Sequence, residues 1–210
     1  MKTMATAVAV VLGISGLAAG KSTHWRGKTD GDYQALYWTW AVGGESPNHH
    51  GNVTMMPIPA PAVWDDQGVG HGEMEVDLQA NQSFFLPCFV YYGETYNNGL
   101  PPDPVDWPAR EMFLASTVLV TVDGVPILDS RTEGDLARHY SDPVYFKKPL
   151  VYPEPTGYGS DAAIWVKGLG VLQGPLAAGD HTVELWVTNE FLLGWGFFGW
   201  HNVWQVHVSK

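Results

Sequence analysis

Residues 174–187, Gly-Pro-Leu-Ala-Ala-Gly-Asp-His-Thr-Val-Glu-Leu-Trp-Val, limit what this chain can fold into more than any other stretch. Pro175 fixes its φ and Gly179-Asp180 favours a tight reversal. Beyond them Val183, Leu185 and Val187 alternate with Thr182, Glu184 and Trp186, the two-residue period of a pleated strand. A strand with one apolar edge must bury it against a second layer, so a packed sheet is required.

The rest of the chain extends that reading. Apolar residues make up 45% and charged residues 16%, while Gly (24) and Pro (15) punctuate the sequence often enough to favour many short strands over long helices. A length of 210 residues suits one core. In order, strands are expected at 35–42, 73–78, 83–92, 117–122, 125–128, 162–166, 181–187 and 203–208. Pro87 marks a bulge or an edge, and Asp123-Gly124 a hairpin. Residues 108–115 read as a short helix and 133–140 as a helical turn. Residues 45–72 and 141–160 read as long Pro-rich connections. The expected fold is all-β, a two-sheet antiparallel sandwich of jelly-roll type with long Pro/Gly-rich loops.

The first twenty residues stand apart. Lys2, the apolar run 4–17 and Ala18-Ala19-Gly20 have the order of an export signal with its cleavage site. The division expected is 1–20 signal peptide, 21–34 polar leader and 35–210 a single domain, exported to the periplasm or secreted. No later stretch has the ~20 apolar residues of a membrane span. The lone cysteine, Cys88, lies in Phe-Phe-Leu-Pro-Cys-Phe-Val and reads as a small buried hydrophobe. Asn52-Val53-Thr54 and Asn81-Gln82-Ser83 match the N-glycosylation acceptor pattern.

Charge excludes one class of partner. Asp plus Glu number 22 against 11 Lys plus Arg, and no basic run is present to neutralise phosphates, so nucleic acid is not an expected partner. Neither a Gly-x-Ser-x-Gly elbow nor a phosphate loop ending in Lys-Ser/Thr occurs.

Trp38-x-Trp40, Phe84-Phe85-Leu86-Pro87, Val122-Asp123-Gly124 and Pro175-Leu176-x-x-Gly179-x-His181-Thr182 together resemble a group of uncharacterised exported bacterial β-sandwich proteins, over most of residues 36–208. The cysteines and the Gly-Pro-Val-Trp-Phe stretch of that group are absent here. The resemblance implies export and a β fold and no activity.

Two constellations carry candidate chemistry. His49-His50 with His71-x-Glu73 supplies imidazole and carboxylate ligands at both ends of the 45–72 segment, which makes a divalent metal the one cofactor the residues raise. Adjacent histidines on a loop tend to point apart, so hydrogen-bonding roles are the plainer alternative. The second is residues 191–201, where five aromatics are interleaved with three glycines. These rings either cap the end of the core or form a stacking platform in which Trp195, Phe198 and Trp200, with Glu190 as a polar anchor, hold a glycan or other hydroxyl-rich ligand. A binding or interaction module is therefore the leading expectation. A secreted hydrolase or metal-dependent enzyme using residues 45–75 is the alternative.

Overall fold

The computed structural model describes residues 27–43, 49–61 and 63–210, apart from the side chain of Trp195. The expected signal peptide therefore lies outside the described residues. The chain runs α1 (Asp30–Gly43), β1 (His49–His50), β2 (Val53–Met55), β3 (Val63–Trp64), β4 (Val69–Gln79), β5 (Ser83–Tyr96), α2 (Arg110–Leu114), β6 (Thr117–Val122), β7 (Val125–Asp129), α3 (Asp135–His139), β8 (Tyr140–Val151), β9 (Ser160–Gln173), β10 (Gly179–Thr188), a 3-10 turn (Glu190–Trp195) and β11 (Gly199–Ser209).

The strands form a five-stranded sheet in the order β1-β2-β5-β9-β8 and a six-stranded sheet in the order β3-β4-β11-β10-β6-β7. Their inner faces meet in one core. β5 contributes Phe84, Leu86 and Cys88, β10 contributes Val183, Leu185 and Val187, and β11 contributes Trp204 and Val206. As expected, Val183, Leu185 and Val187 are fully buried while Glu184 and Trp186 face outward. Two pairings depart from the antiparallel expectation: β4 runs parallel to β11, and β2 parallel to β5. β4 and β5 are joined by a tight turn yet belong to different sheets, so each finds its neighbour elsewhere in the chain.

Residues 35–42 form most of helix α1 instead of a first strand, and the helix crosses the expected boundary at residue 34. The cause is local. The backbone N–H of Thr29 donates to Asp32 Oδ2 at 2.8 Å, and the backbone N–H of Asp32 donates to Thr29 Oγ1 at 3.1 Å, a reciprocal capping box that satisfies orphan donors of the first turn. Tyr33 and Tyr37, four residues apart, then share one helix face and pack with Val53, Met55 and Phe85 into a second apolar cluster on the outer face of the five-stranded sheet.

Residues 141–160 also differ from expectation, since β8 occupies much of that span. It lies at the edge of its sheet, and its ladder shifts register between Ser141 and Val144 and between Tyr145 and Leu150. These are the places where Pro143 and Pro149 donate no hydrogen bond. Pro87 begins a bulge between Pro87 and Phe89, as read. The expected helices at 108–115 and 133–140 are present as α2 and α3. Among the described residues no helix is long and apolar enough to cross a membrane.

Candidate functional site

The segment between β2 and β4 is the element that shapes a site. Residues 57–61 carry three prolines, Pro57, Pro59 and Pro61, and pass over the inner face of β4 where the neighbouring residues are Gly70 and Gly72. A Cβ on Gly72 would lie 3.0 Å from Asn202 Oδ1 and 3.1 Å from Pro59, so glycine is what lets this segment approach the strand. The result is a cleft of ≈ 300 Å³ walled by Ile58, Pro59, Pro61, Trp64, Phe197 and Trp200, with Asn202 in its lining. A second cleft of ≈ 270 Å³, between α1 and β5, shares Ile58 and Trp200 with the first.

The polar content of these clefts is small, and two of its buried atoms are unpaired. Asn202 is 1% exposed and its Oδ1 has no hydrogen-bond partner. Trp38, which lines the second cleft, likewise has a buried Nε1 without one. A buried polar atom left unpaired costs ~1–3 kcal/mol.

The aromatic segment in part caps the core and in part walls the two clefts. Leu192 is buried, and Phe191, Phe197 and Trp200 pack against the core, so these residues do cap it. Trp200 rests edge-on against Phe89, with ring centroids 5.8 Å apart, and also walls both clefts. Phe198 is half-buried and Glu190 exposed. Neither lines a cleft described above, and the side chain of Trp195 lies outside the described residues. Residues 190–195 wind into a 3-10 turn despite Gly194. There Asn189 Oδ1 accepts the backbone N–H of Phe191 at 2.7 Å, and Gly196 closes the turn with φ 89°. Trp64, on an exposed strand end and 53% exposed, was not among the expected ring platforms.

The histidines separate. His49 and His50 are exposed on β1, at the edge of the five-stranded sheet, whereas His71 and Glu73 are on β4 in the other sheet. Glu73 accepts a hydrogen bond from Gln205 Nε2 at 3.1 Å. Among the described residues no group of three or more His, Cys, Asp or Glu side chains is placed to hold a metal ion.

His71 instead meets a residue far away in sequence. The parallel register of β4 and β11 sets His71 opposite His201, and their Nδ1 atoms lie 3.2 Å apart. His71 Nε2 is 3.2 Å from Asp65 Oδ2, and His201 Nε2 is 2.7 Å from Glu184 Oε1. Trp186 lies flat on His201, with centroids 3.7 Å apart and planes at 10°, and its indole N–H donates to the same Glu184 oxygen at 3.1 Å. The backbone N–H of Val69, then His71, hold the Asp65 carboxyl below the usual carboxylate range. This outward-facing row runs carboxylate, imidazole, imidazole, carboxylate.

Two other groups have structural duties. Glu94 is buried and accepts hydrogen bonds from the hydroxyls of Tyr152, Tyr158 and Ser160, which ties the 152–160 connection to β5. Cys88 is 2% exposed, and burial, followed by the nearby Asp30 charge, pushes its thiol well above the ordinary range, which removes it as a nucleophile.

No family model and no curated protein matches this chain. Among solved structures, one described as "Structure of PbICP-C in complex with falcipain-2" is similar over 76% of this chain and 100% of its own, at 10% identity and a TM-score of 0.28. Likeness at that level carries no argument about this protein.

Proposed function

We propose that the chain is an exported binding module that takes a ring-bearing ligand, in the first place a sugar unit of a glycan, in the cleft walled by Trp64, Phe197 and Trp200. The observation that carries this reading is Asn202, whose unpaired Oδ1 is the polar exception in a lining of rings and prolines. Indole faces cover the C–H face of a pyranose, and a ligand hydroxyl donates to the waiting amide oxygen. Broad apolar area with a few polar anchors is the composition of a small-ligand site. Export rests on the apolar leader at 4–17.

The test turns on replacing Asn202 by its apolar isostere. Asn202→Leu removes the unpaired oxygen, so the free protein should gain up to ~1–3 kcal/mol of stability while losing its ligand. Tryptophan fluorescence titrated with a panel of soluble oligosaccharides, and retention on insoluble polysaccharides, would measure binding. Thermal unfolding would measure stability. Saturable binding that disappears in Asn202→Leu and in Trp64→Ala supports the reading. Absence of binding across the panel, or binding that survives both substitutions, overturns it.

A further inference from the structure

Carboxylates only accept hydrogen bonds, so Asp65 and Glu184 each fix a proton on the Nε2 of their own imidazole. In the neutral tautomers this leaves one lone pair on each Nδ1. The two rings stand at 90° with centroids 5.4 Å apart and Nδ1 atoms 3.2 Å apart, so nitrogen faces nitrogen. Two lone pairs in that position repel unless a proton is shared between them or both bind one cation.

We propose that His71 and His201 form a two-histidine site for a divalent transition ion of the zinc or copper type, on the open face of the six-stranded sheet. Spacing is the first support. A tetrahedral ion ~2.0–2.1 Å from each of two imidazole nitrogens holds them ~3.3 Å apart, close to what the strand register already provides. Charge is the second, because Asp65 and Glu184 together bring two negative charges; a shared proton offsets one and a dication offsets both. The arrangement behind the ligands is the third. A carboxylate on the far nitrogen of each histidine fixes tautomer and ring orientation, the usual support for a metal-bound imidazole, and Trp186 stacked on His201 restrains that ring further.

Access is adequate, since the His71 side chain is 34% exposed. With two protein ligands the ion keeps coordination positions open to water or to a ligand, the condition that separates reactive or ligand-binding metal sites from closed structural ones. Imidazole donors favour copper and zinc over magnesium or calcium. This site is on the opposite face of β4 and β11 from the cleft, so it stands or falls independently of the binding reading above.

The experiment is calorimetric titration of the full chain with Zn²⁺, paired with visible spectra of the Co²⁺ form. One ion per chain is expected. His201→Ala should weaken it by at least about tenfold through loss of chelation. Asp65→Asn and Glu184→Gln should each weaken it by about 10–100-fold while leaving both ligands in place. The double variant His49→Ala/His50→Ala should bind as the parent does. Circular dichroism of every variant checks folding; if His201→Ala is unfolded, the ring ¹⁵N shifts of the parent decide, because Zn²⁺ should move both Nδ1 resonances. Zn²⁺ affinity unchanged in a folded His201→Ala, or Nδ1 resonances that do not respond to the metal, would overturn the site and leave a proton between the two rings.

Discussion

The outer face of the five-stranded sheet is roofed by α1, with Tyr33, Tyr37 and Phe85 buried between helix and strands. The outer face of the six-stranded sheet turns His71, Glu73, Trp186 and His201 toward solvent. The two faces are written differently along their strands. β5 passes through the middle of the roofed sheet and is buried on both sides, so Phe84, Phe85 and Leu86 follow one another without alternation. β10 is buried on one side and alternates from Val183 to Thr188. Continuous apolar sequence thus marks a sheet that must be covered twice, and alternation marks one whose outer row is free for polar side chains.

The harshest way to break this comparison is to hollow the roofed face. Phe85 is fully buried beneath α1 and lies 5.8 Å, centroid to centroid, from Tyr33. Phe85→Ala should cost ~3–5 kcal/mol in urea unfolding, as buried phenylalanine truncations do. A loss below ~1 kcal/mol would mean that α1 is not anchored through this ring.

The next effect is a pH dependence centred on the helix side. Asp30, in the first turn of α1, is buried, and burial raises its pKa from 3.8 to about 7. Between these values the unfolded chain has released a proton that the folded chain keeps, so stability falls as pH rises from about 4 to about 7 and levels off above. One such group gives a slope of ~1.4 kcal/mol per pH unit within that window. Asp30→Asn should flatten the slope in chemical-denaturation curves recorded from pH 4 to pH 8. An unchanged slope would place the titrating group elsewhere.

What could be read in advance follows the same division. Strand β10 was legible because its period is set by one apolar face. So was the hairpin at Asp123-Gly124, whose φ values of 51° and 75° are what the residue types allow. Helix α1 was obscured because Tyr37, Trp38, Thr39 and Trp40 all favour strands, and the Thr29-x-x-Asp32 box that starts it lies in a stretch read as a polar leader. Strand β8 was hidden by prolines that an edge position tolerates. For the sites, His71 was visible as a candidate and His201 was not, because the two are 130 residues apart and only the parallel register of β4 and β11 joins them. Trp200 was visible as an aromatic in an unusual place. Asn202 carried no signal, since an unpaired amide is a property of packing and not of residue type.

The smallest effect tests the open face at its least special position. Glu75 and Asp77 on β4 and Asp180 on β10 are exposed, and His207 on β11 shares the same outer side; its Nδ1 is 2.8 Å from Asp180 Oδ1. Asp180, through that hydrogen bond, and then the charges of Asp180, Glu75 and Asp77 raise the His207 pKa. Glu75→Lys exchanges one of those charges for its opposite without touching the hydrogen bond. The His207 pKa, followed by the imidazole proton shifts in an NMR titration, should therefore move down while remaining above that of a variant lacking the hydrogen bond, Asp180→Ala. Stability should stay within ~0.5 kcal/mol of the parent, as surface substitutions do, because relieving repulsion among like charges on an uncovered sheet is nearly neutral in water. A loss of more than ~1 kcal/mol in this variant would mean that the six-stranded sheet is covered in solution as the five-stranded one is, by a second copy or a partner, and the asymmetry between the two faces would then belong to the isolated chain alone.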